Sequence, residues 1–413
     1  MSVPVPASDV GAVVVVGIGA DGWPGLGAAA QDALRQAEVV IGAERQLDLI
    51  GPTVTATRES WPTPMLTGVG ATLERHRGRR IVVLASGDPM FFGVGTTLVG
   101  LLGAGCVRTI PHPSSLSLAC ARLGWAVEDV DVVILVGRPP QNLHAAVQPG
   151  RRLLVLVSEP DAARNVCALL VARGYGASAV TVLAQLGGDT ERIRHAIATS
   201  WADAEHDRLA VVAVQCVLSP PLAPLTRSPG LPDSAYDHDG QLTKREVRAV
   251  TLAALIPVAG QLLWDIGAGS GSIGIEWMRT HPACRAIAIE ADPIRSARIG
   301  RNAASLGVPQ MAVVEGAAPA ALAGLEAPDA IFVGGGASAD GVLETCVQAL
   351  RVGGRLVVNA VTLQSETLLA EWHARLGGGL LRISVQHAEP IGAFTGWRPS
   401  MPVTQWAWHK EQS

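Results

Sequence analysis

Gln261-Leu-Leu-Trp-Asp-Ile-Gly-Ala-Gly-Ser-Gly271 decides the fold of the C-terminal half of this chain. An apolar run meets a turn in which alternate residues, Gly267, Gly269 and Gly271, are glycine, and a helical pattern opens near Ser272. Without a Cβ, glycine lets the backbone turn sharply and bring its N–H groups close to a ligand. The helix that follows directs its positive end into the same space, which favours an anionic group. Glu290 ends the next apolar run, 19 positions after Gly271. At that place a carboxylate can accept both hydroxyl protons of a ribose.

A dinucleotide-binding enzyme uses these same elements, and Asp265 separates the two readings. Two residues before the first glycine a dehydrogenase turn usually carries an apolar residue, whereas a carboxylate suits the methionyl ammonium of S-adenosylmethionine. Glu315-Gly-Ala-Ala-Pro319 then closes a third apolar run, where an adenine edge would be read. The reading favours methyl transfer over hydride transfer, with a nicotinamide enzyme as the alternative.

Around this turn the second half alternates regularly. Strands are expected at Leu262–Asp265, Ala286–Glu290, Ala312–Glu315, Ala330–Val333 and Arg355–Asn359, with helices at Ile273–Thr280, Pro293–Leu306 and Asp340–Leu350. Strands alternating with helices predict a mostly parallel sheet with its ligand beyond the strand ends. The first half restarts the grammar at Ala12-Val-Val-Val-Val-Gly-Ile-Gly19. Further strands are expected at Val39–Ile41, Ile81–Ala85, Val132–Val136, Leu153–Val157 and Ala210–Gln215, and a helix at Asp161–Arg173. Between the halves, Leu218–Pro232 is dense in prolines, which remove donors and restrict their neighbours. The expected division is a first domain over 1–222, a linker over 223–240 and a second domain over 241–413.

The composition excludes several classes. A hydrophobic fraction of 48% with only 16% charged residues, punctuated by 46 Gly and 27 Pro, fits compact α/β units and not disorder. Lys244 and Lys410 are the only lysines among 32 basic residues, and the net charge of −4 argues against a broad nucleic-acid-binding face. The six cysteines are scattered without a CxxC pair, so neither a disulfide framework nor a zinc or other metal site is read. The N-terminus lacks the basic residues of a signal peptide, and no apolar run reaches the ~18 residues of a membrane span. The expected setting is the cytoplasm, away from membranes.

In the first half Gly17-Ile-Gly-Ala-Asp-Gly22 satisfies a dinucleotide pattern, but the second strand ends in Gly42 where an acid is needed. More telling is Ala85-Ser-Gly-Asp-Pro-Met-Phe-Phe-Gly93 directly after a strand, followed by Pro113-Ser-Ser-Leu-Ser and later Gln185-Leu-Gly-Gly188 and Glu191-Arg-Ile193. In this order the pieces resemble the tetrapyrrole methyltransferase family over about residues 10–215. That resemblance implies a two-lobed fold binding S-adenosylmethionine between lobes, with Gly87, Asp88 and Ser115 at the cofactor and Gly17 and Gly19 lining the cleft.

Residues from Gly240 to about Val361 resemble the decarboxylating precorrin methyltransferases of cobalamin biosynthesis. The matching pieces are Gly240-Gln-Leu-Thr-Lys-Arg-Glu-Val-Arg248, the glycine turn, Ala288-Ile-Glu-Ala-Asp-Pro293, Glu315–Pro319, Ile331-Phe-Val-Gly-Gly-Gly336 and Arg351-Val-Gly-Gly-Arg355. The resemblance implies a Rossmann-like domain in which Thr243, Gly267, Ala268, Gly269, Ser270, Gly271, Glu290 and Ala318 contact S-adenosylmethionine. Ala317 departs from the family, where aspartate is frequent. Together the halves imply two S-adenosylmethionine sites, methylation of a precorrin-6-type tetrapyrrole at ring carbons 5 and 15, and decarboxylation of the ring C acetate. His238, Lys244 and Arg245 are the candidate partners of the substrate's carboxylates. Relatives of both halves commonly self-associate, which implies a homo-oligomer.

Overall fold

The computed structural model describes residues 13–202, 207–208 and 210–411. Ala12 and the N-terminal stretch read for a leader lie outside the described residues. The chain forms two compact units, one from the start of the described residues to Gly137 together with Gly150–Ser219, the other from Arg138–Pro149 together with Pro220 onward. The short piece within 138–149 is fastened inside the second unit, where Arg227 Nε donates to Ala145 O at 3.1 Å.

The first unit is two-lobed. Strands β1 (Val13–Ile18), β2 (Val39–Gly42), β3 (Thr57–Ser60), β4 (Ile81–Ser86) and β5 (Val107–Ile110) form a parallel sheet in the order β3-β2-β4-β1-β5. Along β1 the side chains alternate between two cores, Val13 and Val15 against Leu98, Val16 and Ile18 against Leu34. A sheet buried on both faces explains why β1 reads as one continuous apolar run. The second lobe holds β6 (Val130–Ile134), β7 (Arg152–Val157), β8 (Ala179–Ala184), β9 (Arg192–Ile197) and β10 (Ala210–Gln215) in the order β6-β7-β10-β8-β9, antiparallel except for β6 with β7.

The second unit is a Rossmann-like sheet. Strands β11 (Leu262–Ile266), β12 (Arg285–Glu290), β13 (Ala312–Glu315), β14 (Ala330–Val333), β15 (Arg355–Ala360), β16 (Gly379–Ile383) and β19 (Val403–His409) run in the order β13-β12-β11-β14-β15-β19-β16. The first five are parallel, while β19 inserts antiparallel between β15 and β16. A separate hairpin joins β17 (Gln386–Ile391) to β18 (Phe394–Pro399). Leu263 faces a core with Leu252 and Trp277, and Trp264 and Ile266 face the opposite one with Trp372 and Trp406.

The lead-in to this sheet, residues 230–248, is held by a buried polar hub. Glu276, on the helix Ser272–Thr280, accepts from Gly230 N at 2.6 Å, Leu231 N at 3.1 Å, Tyr236 Oη at 2.8 Å and Arg248 Nε at 2.6 Å. Arg248, on the helix Arg245–Leu255, is fully buried and also donates to Leu231 O and Thr243 O and pairs with Asp233 at 3.3 Å. Each nitrogen of Arg248 and each oxygen of Glu276 thereby has a partner, which is the condition for keeping so expensive a pair. Among the described residues no helix is long and apolar enough to cross a membrane, and none of the six cysteines forms a disulfide.

Arg248→Ala leaves the Glu276 carboxylate buried without its cation, so it should lower the stability of the second unit by about 3–5 kcal/mol. Urea unfolding followed by the emission of the buried Trp264 and Trp277 measures this, and a change below ~1 kcal/mol would contradict the role of the hub.

Candidate active sites

In the second unit the sheet order reverses at β11, and the glycine turn leaves that strand at the reversal. A cavity of about 890 Å³ opens there, beyond the strand ends. Gly267, Ala268, Gly269, Glu290 and Ala318 line it, and Thr243 and Lys244 reach it from the lead-in. Gly267 has φ +66°, and a Cβ there would stand 2.6 Å from Gly335 O, so conformation and space both require glycine. The Glu290 carboxylate braces the turn. Its Oε2 accepts from Gly269 N at 2.8 Å and its Oε1 from Asp292 N at 3.1 Å.

Other expected residues lie behind this surface. Ser270 and Gly271 do not line the cavity; Ser270 Oγ donates to Gln241 O at 2.9 Å and ties the turn to the lead-in. Asp265 sits one layer deeper, fully buried, with Oδ2 accepting from Gly274 N at 2.8 Å and Oδ1 without a hydrogen-bond partner among the described residues. Burial pushes its carboxyl up to about 7, opposed by the Gly274 N–H and reinforced by the Glu290 charge. His238 and Arg245 are exposed and lie outside the cavity lining, whereas Lys244 lines it and pairs with Asp233 at 3.5 Å.

Sequence reasoning missed Arg295 and Asn359, which also line this cavity. Arg295 was hidden in a helix pattern, and it pairs with Asp239 at 2.9 Å. Asn359 carried a readable signal, a polar residue near the end of the apolar run of β15, the position Glu290 holds in β12.

In the first unit a cavity of about 400 Å³ lies between the lobes, lined by Gly19, Gly87, Asp88 and Ser115. Gly17 lies behind it: a Cβ there would fall 2.0 Å from Gly87 O, so glycine lets the two turns touch. Gly87 takes φ +60°, and Asp88 Oδ1 caps the next turn by accepting from Met90 N at 2.8 Å. Ser114 caps the helix Ser115–Leu123 by accepting from Ser117 N at 3.2 Å, which leaves the Ser115 end of that helix facing the cavity. Arg45, Gln46 and Trp61, none of them expected from the sequence, complete the wall.

Two family profiles match the chain: Tetrapyrrole (Corrin/Porphyrin) Methylases over residues 12–200, and Precorrin methyltransferase domain over residues 234–410. Fold and sites together are those of two fused methyltransferase domains. Over 398 residues the chain is 50% identical to the precorrin-6Y C(5,15)-methyltransferase (decarboxylating) of Sinorhizobium sp, covering 96% of this chain and 96% of that one, and it belongs to this family. Each half also has a shorter relative. The cobalt-precorrin-7 C(5)-methyltransferase of Salmonella typhimurium is 32% identical over 48% of this chain and 97% of its own. The probable cobalt-precorrin-6B C(15)-methyltransferase (decarboxylating) of Pyrobaculum aerophilum is 30% identical over 43% of this chain and 93% of its own.

The Asp265 carboxyl titrates near 7 when folded and near the ordinary ~3.9 when unfolded. Between those values the folded chain holds the extra proton, so stability falls as pH rises through that window. Asp265→Asn should flatten the dependence of the urea midpoint between about pH 4 and pH 7. Parallel curves for the two proteins would refute this account of the buried carboxyl.

Proposed function

We propose that this chain transfers two methyl groups from S-adenosylmethionine to ring carbons 5 and 15 of a precorrin-6-type tetrapyrrole and removes carbon dioxide from the ring C acetate. The observation that carries the reading is that each half has its own cavity behind a glycine turn and its own shorter relative. The first unit would act at carbon 5. The second would methylate carbon 15 and release carbon dioxide.

The residues fit the cofactor in both units. In the second, Gly267 to Gly269 form a cradle packed so closely on the Gly335 backbone that no Cβ fits at Gly267, with the Glu290 carboxylate at its rim. Thr243, Ala268, Glu290 and Ala318 would hold the cofactor there, while Asp265, Ser270 and Gly271 shape the turn from behind. In the first, Gly19, Gly87, Asp88 and Ser115 would do so. The bound cofactor supplies a methyl group on a sulfonium, already a good electrophile. The chain's task is then alignment, and fixing both reactants in a near-attack geometry contributes up to ~7–11 kcal/mol. Ile266, Ile289 and Phe332 keep the second cavity apolar around the reacting carbon.

Loss of carbon dioxide leaves an electron pair on the acetate carbon. A conjugated, protonated pyrrole system delocalises that pair until a proton replaces the lost carboxylate, so no protein nucleophile is required. Lys244, with His238 and Arg245 beside it on the lead-in, would meet carboxylates of the substrate rim.

Mass spectrometry of the product from a precorrin-6 substrate should show two added methyl groups and the loss of carbon dioxide; a single methyl group would assign one unit another task. Calorimetric titration should find two equivalents of S-adenosylmethionine in the wild type. Gly267→Ala and Gly17→Ala each force a Cβ against backbone oxygen, and each should weaken one site by about tenfold or more while sparing the other. Two undiminished sites in either variant would contradict the assignment.

A further inference from the structure

The larger cavity has a polar wall that neither the glycine turn nor Glu290 explains. Asn359 lines the cavity from β15, opposite Gln405 of β19, and the helix Arg245–Leu255 brings Thr251 against both. Thr251 is fully buried and spends its single hydroxyl proton on Val247 O at 2.8 Å. Toward its other neighbours its oxygen therefore only accepts. It accepts from Asn359 Nδ2 at 3.0 Å and from Gln405 Nε2 at 3.0 Å. The other Gln405 N–H goes to Asn359 Oδ1 at 2.9 Å.

These three bonds fix the orientation of both amides. A half-turn of Asn359 would set its oxygen against the Thr251 oxygen and its NH₂ against that of Gln405. A half-turn of Gln405 fails in the same way. Burying such a triad in a sheet face shared with Leu252, Phe332 and Val357 is expensive unless every bond is made. Its product is one amide that cannot rotate, with one N–H and one oxygen lone pair left over at the cavity.

The position says what that N–H meets. Glu290 ends β12 and Ala318 follows β13, on one side of β11, whereas Asn359 lies on the other side beyond β14. The donor therefore stands away from the cofactor cradle. Two cations also line the cavity, Lys244 beside Asp233 on the lead-in and Arg295 beside Asp239, and Asn359 adds a neutral donor from β15. We infer that Asn359 is a substrate-binding residue whose fixed N–H donates to a carboxylate oxygen on the tetrapyrrole rim, with Thr251 and Gln405 as its positioning residues. This rests on the function proposed above and sets how the macrocycle is turned over the methyl donor.

The test uses the full-length enzyme and a precorrin-6 substrate, reading the decarboxylated product by mass spectrometry. Absence of turnover by the wild type would overturn the proposed function itself. With turnover established, Asn359→Ala should raise the tetrapyrrole KM about 10- to 100-fold, the loss of one hydrogen bond to a charged group, with S-adenosylmethionine affinity within about twofold. Gln405→Met leaves Asn359 in place but frees its amide, and should raise the same KM by a smaller factor while kcat changes little. Should Asn359→Ala fail to fold, Asn359→Ser keeps a hydroxyl near Thr251 but cannot reach forward, and its KM decides. An unchanged KM in the Asn359 variant, or an equal fall in cofactor affinity, would overturn the inference; an unchanged KM in Gln405→Met would overturn the positioning role.

Discussion

The ion pair of Arg248 with Glu276 is what makes a cavity out of a sheet edge. A parallel sheet offers only a shallow groove beyond its strand ends, and depth has to come from another segment laid across it. Here that segment is the lead-in through residues 240–247, which supplies Thr243 and Lys244. Leu242 packs against the core and Val247 is buried, and the rest of the stretch has to be pinned by polar bonds. The hub supplies them by collecting backbone N–H groups from Gly230 and Leu231 and carbonyls from Leu231 and Thr243 around one buried charge pair. The turn is then joined to the lead-in through Ser270 and Gln241, so cofactor cradle and substrate wall are mechanically one piece.

The parts of the fold that announce themselves are those buried on both faces. β1, β4, β7, β10, β11 and β14 are continuous apolar runs because parallel or central strands are covered on each side, and each was expected within a residue or two. Most strands that escaped are edges or late hairpins, although β8, buried between β10 and β9, escaped as well. Thr57–Ser60 and Arg192–Ile197 are largely exposed and polar, so they present no apolar period at all. β19 escaped for another reason: its antiparallel insertion buries Gln405 and Thr404, polar residues that interrupt the pattern.

Site residues divide along the same line. Backbone-dictated positions, the glycines at 267 and 87 with their left-handed φ, are visible as glycine spacing. Side chains whose value depends on a partner far along the chain are not. Asp265 looked like a ligand for an ammonium because its distance from the first glycine is right, yet its geometry makes it a brace for Gly274. Asn359 looked like an ordinary strand end because its orientation comes from residues on another helix and another strand.

That last dependence has a consequence for how the protein is made. Thr251 and Gln405 are separated by 154 positions, and β19 seals the open flank of β15. At ordinary synthesis rates of about 5–20 residues per second, roughly 8–30 s pass between their emergence from the ribosome. β15 emerges late in that interval, and for the 46 positions between Asn359 and Gln405, roughly 2–9 s, its edge is unpaired and Thr251 lacks the Gln405 amide. The second unit is therefore a late-closing fold, and for those seconds the nascent chain presents an open sheet edge of the kind that pairs with other chains.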